Sequence, residues 1–301
     1  MRRWGLVTGV LAFALSGCVS SSAQAPSEPT AATREASADA RDAEPRMAET
    51  TDSPLAATAL AESFRAATAY ASAQGITVGI AMLDRETGQE FTNGPTSGRQ
   101  MWSASVSKLF IADDLLYRDR AGTITLSAAD RMSLRRMLES SDDAAADSLY
   151  ATYGTETMIT EVATRYALPA ISAGNDPGEW ELTDISAAAV VRWYDRFLSA
   201  APLADRDLMV GLLQATEPMA ADGFDQTHGL ATALSGEPLA YKQGWMCCPA
   251  STSFLHTTGL VGAEQRFAVA VLTERQSDSG FATDALDRIA QIAFPAGVFG
   301  P

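Results

Sequence analysis

Three patterns, met in this order, place the 301-residue chain in the α+β class: an early hairpin signal, a long helical middle, and three strand-like runs near the end. They predict a five-stranded antiparallel sheet flanked by N- and C-terminal helices, with an all-helical subdomain inserted between the second and third strands. The folded domain is expected over residues 54–301, with the insert at about 105–235. Its length is enough for one large domain, or two interleaved ones, with a proper core.

Each element has its own sequence reason. Leu60, Phe64, Ala67 and Ala71 form one stripe of an alanine-rich helix over 55–73 that should cover a sheet. Residues 76–83 are rich in β-formers, the run Arg85-Glu86-Thr87-Gly88 has turn chemistry, and 89–92 can return antiparallel. A loop with Asn93, Gly94, Pro95 and Gly98 leads to a helix around Ser105 that is apolar nearly all round, and therefore buried. Residues 126–235 carry mostly helical patterns, broken at Gly154, at 169–180 and at 217–225. Strand-like runs follow at 239–246, 251–260 and 266–273, and a helix over 281–294 with Leu286, Ile289, Ala290 and Ile292 closes the domain.

Before the domain, composition changes twice. Met1-Arg2-Arg3 precedes an apolar run too short to span a membrane, and Leu15-Ser16-Gly17-Cys18 follows it. This resembles a bacterial lipoprotein signal. The resemblance implies a signal peptide over 1–17, cleavage after Gly17, and acylation of Cys18. Residues 18–53 then hold Ala, Ser, Thr, Pro, Glu and Asp with almost no large apolar side chain, so they cannot bury enough surface to offset ordering entropy and should be a tether. The protein is expected to be exported and held to the cell membrane by lipid, facing the outside or the periplasm.

A formal charge of −15 argues against nucleic acid as a partner, because phosphate binding draws on clustered Lys and Arg. It also repels anionic lipid, so membrane attachment has to come from acyl chains on Cys18. Beyond Cys18 the cysteines are the adjacent Cys247 and Cys248, for which a vicinal disulfide, two free thiols and intermolecular pairing all stay open. Adjacent cysteines and two distant histidines, His228 and His256, make no metal-ligand pattern, and neither metal nor cofactor is expected.

The chemistry gathers around 101–110, MWSASVSKLF, where Ser105 and Lys108 stand three apart in an apolar stretch. On a helix such residues are neighbours, which brings a hydroxyl nucleophile beside an amine base. Burial among Val106, Leu109, Phe110 and Ile111 is what such a base needs to give up its proton near neutral pH. A serine opening the helix also places its oxygen beside the unpaired backbone N–H groups of the first turn.

Two downstream segments make this specific. Glu139-Ser140-Ser141-Asp142-Asp143 resembles a Ser-Asp-Asn turn, and Tyr241-Lys242-Gln243-Gly244-Trp245 resembles a Lys-Thr-Gly strand. With Ser105-x-x-Lys108, the trio over about 55–295 resembles the serine β-lactamase and penicillin-binding-protein superfamily, nearest to class A β-lactamases. The resemblance implies Ser105 as the acylated nucleophile, Lys108 as its base, Ser141 as proton relay, and Lys242 as a source of positive potential that orients a substrate carboxylate. It further implies an oxyanion hole from the backbone N–H groups of Ser105 and Trp245, with Gly244 letting substrate approach and Gln243 and Asp143 touching it.

The departures shape the expected function. Asp143 stands for Asn and can pair with Lys108, which would hold the lysine's proton. Gln243 stands for Thr and would donate from a different place. No Glu-x-x-Leu-Asn segment follows; the acids of the matching loop, Asp176, Glu179 and Glu181, read as loop and cap carboxylates, and His256 as structural. The expectation is a lipid-anchored serine hydrolase that forms an acyl-enzyme on an amide or peptide, cell-wall-related or peptidoglycan-derived, with weak β-lactam turnover. The competing expectation is a non-catalytic module on the same fold that binds peptidoglycan or a partner.

Overall fold

The computed structural model describes residues 54–176, 178–278, 280–296 and 299. The signal peptide, Cys18 and the tether lie outside the described residues. From the N-terminal end run α1 (Pro54–Ala73), β1 (Ile76–Asp84), β2 (Glu90–Thr92), β3 (Met101–Trp102) and α2 (Lys108–Arg120). Next come α3 (Ala128–Glu139), α4 (Asp143–Tyr153), α5 (Glu156–Arg165), β4 (Asp184–Ile185), α6 (Ala187–Ala200), α7 (Leu203–Gln214) and α8 (Leu230–Ala233). The chain ends with β5 (Leu239–Met246), β6 (Thr252–Val261), β7 (Phe267–Gln276) and α9 (Thr283–Ala293).

The sheet has the order β2-β1-β7-β6-β5, antiparallel at every pairing, with Ile80 opposite Val271 and Gly244 opposite His256. Strand β7 shows how it is held. Phe267, Val269 and Val271 point to the face covered by α1 and α9, while Ala268, Ala270 and Leu272 point to the insert, as period-two alternation requires. On the first face Leu60 and Phe64 of α1 meet Leu286 and Ile289 of α9, with the Phe64 ring edge-on to Phe294. Each of these side chains contributes about 1.5–3 kcal/mol by leaving water. On the second face α6 lies across β1 and β7 and joins the sheet to the insert.

Within the insert, helix starts are set by side-chain caps. Ser127 and Asp130 form a reciprocal capping box at α3, Asp142 accepts the Ala145 N–H at 3.0 Å to start α4, and Ser186 caps α6. Two short strands that local patterning does not show lie just before the insert and within it. Strand β3 pairs with β4, Met101 opposite Ile185 and Trp102 opposite Asp184, and this ties the approach to Ser105 to the loop before α6.

Candidate active site

Ser105 lies in a 3₁₀ turn over 104–107 that runs into α2 at Lys108, so it precedes the α-helix instead of opening it. The tighter turn serves the pair better, since side chains three apart eclipse on a 3₁₀ helix. Ala104, just before the serine, has φ +46°, a conformation costly for a residue with a side chain. Ser141 has φ +53°, immediately before the Asp142 cap, and turns its hydroxyl to the same point.

Lys108 is fully buried and its Nζ stands at a crossing of acceptors. It reaches Ser105 Oγ at 2.9 Å, Ser141 O at 2.6 Å, Ser141 Oγ at 3.3 Å and Asp143 Oδ1 at 2.5 Å. Lys242, also fully buried, donates to Ser141 Oγ at 2.7 Å and to Gln243 O at 3.1 Å. The result is a continuous chain, Ser105 Oγ, Lys108 Nζ, Ser141 Oγ, Lys242 Nζ. Burial lowers the Lys108 pKa and outweighs the opposing pull of Asp143. Lys242 falls further, through burial and the neighbouring ammonium of Lys108. Both shifts favour the free amine, the form a base needs.

The chain ends at a cavity of about 410 Å³ lined by Ser105, Asp143, Trp180, Glu181 and Trp245 among others. A second hollow of about 360 Å³, by α7 and Arg85, holds none of these residues and has no serine, cysteine or lysine in its lining. Ser105 and Trp245, whose backbone N–H groups form the implied oxyanion hole, both belong to the lining of the first.

Three expected roles need correction. Gln243 does not face substrate: it is fully buried and its amide donates to the backbone carbonyls of Gln226, at 2.9 Å, and His228, at 2.6 Å. Strand alternation sends it to the face opposite Lys242. Gly244 makes room for protein and not for substrate, since a Cβ there would stand 2.9 Å from Ser103 O and 3.0 Å from Val106 Cγ2. Glu181 is no bystander of its loop. It lines the cavity, and burial, with Glu179 and Asp147 nearby, pushes its carboxyl up to about 7.

Other site residues leave no local signal. Trp180 lies over Lys108, with Nζ 4.6 Å from the ring centre, and its indole N–H is held by Asp147 at 2.8 Å. The Trp245 indole is held in the same way by Asp222 at 2.9 Å. A tryptophan near an acid is too common a pattern to read, and these pairs form only once the loops fold. His256 is structural: burial lowers it to about 4, Nε2 bonds Trp102 O at 2.8 Å, and Nδ1 accepts the Thr273 N–H at 3.1 Å. Cys247 and Cys248 are joined as a vicinal disulfide, with Cys247 at the cavity rim.

Residues 131–296 match the model of the family described as "Beta-lactamase enzyme family", and this stretch takes in Ser141, Asp143 and Lys242. The chain belongs to that family. "Putative lipoprotein LppW" of Mycobacterium tuberculosis (strain ATCC 25618 / H37Rv) is a relative, 38% identical over 236 residues, 77% of this chain and 74% of that one. Among solved structures, the β-lactamase from Streptomyces albus G shares the fold with a TM-score of 0.62 at 17% identity, over 77% of this chain and 97% of its own. PBP-A does so with a TM-score of 0.64 at 13% identity, over 78% and 95%. The five-stranded sheet with its helical insert is thus a β-lactamase-like fold.

Proposed function

We propose that this member of the β-lactamase family is a serine hydrolase that works by acyl transfer through Ser105. The observation that carries the reading is the unbroken chain from Ser105 Oγ, which lines a cavity, through Lys108 and Ser141 to Lys242. Uncharged Lys108 takes the Ser105 proton as Oγ attacks the carbonyl carbon of an amide. The proton passes through Ser141 Oγ to the leaving nitrogen, the C–N bond breaks, and an ester to Ser105 remains. Water then cleaves the ester and returns the serine. Glu181, in the same cavity and close to half-ionised at neutral pH, is the carboxylate available to take a proton from that water.

The substrate class in this reading is a small amide or peptide derived from peptidoglycan, with weak β-lactam turnover. The absence of the Gln243 side chain from the cavity removes a donor for a β-lactam carboxylate. Labelling with a fluorophosphonate tests the nucleophile: wild type should take up covalent label and Ser105→Ala should take up none. Retained label in the variant would overturn the assignment. A chain that resists label entirely favours the second reading, a binding module, for which the carboxylate Asp143 clamped on Lys108 speaks.

Lipid attachment at Cys18 is part of the same proposal. It is supported by the Leu15-Ser16-Gly17-Cys18 segment and by the word lipoprotein in the name of the relative. No described helix is long and apolar enough to cross a membrane. Cys18→Ser should move the protein from the membrane fraction to the soluble one; continued membrane association would count against the anchor.

A further inference from the structure

We infer that the Ser105 cavity selects acyl donors that carry a positive charge, such as an ester or amide bearing an ammonium group, and discriminates against those bearing a carboxylate. The inference rests on Ser105 as the nucleophile and concerns what that site accepts.

None of the residues lining the cavity is basic, and four of them are acids: Asp143, Asp147, Glu181 and Asp222. The positive charge nearest to them is sealed beneath the floor. Lys108 and Lys242 are fully buried, Lys108 is bound to Asp143 at 2.5 Å, and Lys242 gives its donors to Ser141 and Gln243. The Trp180 ring covers Lys108 Nζ as well. A substrate carboxylate would thus meet no exposed cation.

Asp147 and Asp222 decide the sign of the field. Among the described residues neither forms an ion pair; each accepts a hydrogen bond from an indole N–H, Trp180 for Asp147 and Trp245 for Asp222. An indole is a neutral donor, so it fixes the carboxylate in place without cancelling its charge. The two pairs reach the cavity from different elements, Asp147 on α4 and Asp222 on the loop between α7 and α8. Fixed like charges in a partly enclosed cleft add, and the field they make is weakened least where water is thinnest. A ligand that meets Asp143, Asp147 and Asp222 together gains by bringing a cation.

Three fluorophosphonates with one reactive group and tails of equal size, trimethylammonium, tert-butyl and carboxylate, test this on the full chain. The expected order of kinact/KI is cationic, neutral, anionic, with a cation-to-anion ratio of about 100 at low ionic strength that shrinks several-fold in high salt. The isosteric double variant Asp147→Asn/Asp222→Asn keeps an acceptor for each indole, so it should reduce that ratio about tenfold, with the neutral probe normalising for any effect on folding. An anionic probe as fast as the cationic one, or a ratio indifferent to both salt and the double variant, would overturn the inference while leaving Ser105 as nucleophile. If none of the three labels Ser105, the nucleophile assignment falls and the inference with it.

Discussion

Helix α2 carries two buried polar clusters, and they are built on opposite principles. At its first residue Lys108 faces four acceptors, one of them the half-exposed carboxylate of Asp143. One to two turns on, Asp113 and Asp114 are buried in the core of the insert with dedicated donors. Arg165 spans both acids, at 3.2 and 2.9 Å. Trp193 Nε1 adds a bond to Asp113 at 2.9 Å, Tyr166 OH one at 3.3 Å, and Arg118 one to Asp114 at 3.1 Å. Burial still lifts Asp113 to about 6. The Asp113 cluster matches each charge with a fixed partner and holds helices together. The Lys108 cluster leaves more acceptors than protons, so a proton there has alternative places to go. Buried charge on one helix is therefore matched in one cluster and unmatched in the other, and on the proposed function reactivity belongs to the unmatched one.

Removing a partner from the matched cluster should show the larger effect. Arg165→Ala leaves two carboxylates buried without their shared cation and is expected to cost about 3–5 kcal/mol in denaturant unfolding. Arg165→Lys, which keeps the charge but not the fork, should recover only part of that. A loss under about 1 kcal/mol for the alanine variant would mean the cluster is not what holds α5 to α2. Removing a partner from the unmatched cluster should barely touch stability and instead move chemistry along the pH axis. Asp143 raises the Lys108 pKa, so Asp143→Asn lowers it, and the free-base form of Lys108 appears at lower pH. Fluorophosphonate labelling should then rise at lower pH in the variant, about tenfold faster than wild type at a pH below the wild-type midpoint. An unmoved or upward-moved profile would mean that Lys108 is not the base.

The same contrast explains what the sequence discloses. The Ser105–Lys108 pair sits within four residues, and the Ser141 and Lys242 segments keep recognisable order, so the reactive chain is legible in the sequence alone. Strands β5, β6 and β7 are legible because alternation is local, although β7 runs on beyond Thr273 to Gln276. Arg165 meets Asp113 across half the insert, and nothing near either residue announces it. Gln243 misleads because its neighbours match a motif while its burial depends on Gln226 and His228, which reach it only in the fold. Glu181 reads as a mere loop carboxylate because its loop lacks a familiar motif, yet β3–β4 pairing carries that loop to the serine.

The strand order has a consequence in time. Strand β1, made early, has β7, nearly the last element, as its inner neighbour, and Lys242 arrives on β5 just ahead of β7. Closing that distance costs chain entropy that only the finished sheet repays. A growing or translocating chain therefore carries Ser105 and Lys108 without Lys242, with no sheet for the serine turn to rest on. On the proposed function, Ser105 therefore lacks its full relay until β5 has been made and paired, and the partly made chain is not yet equipped for acyl transfer.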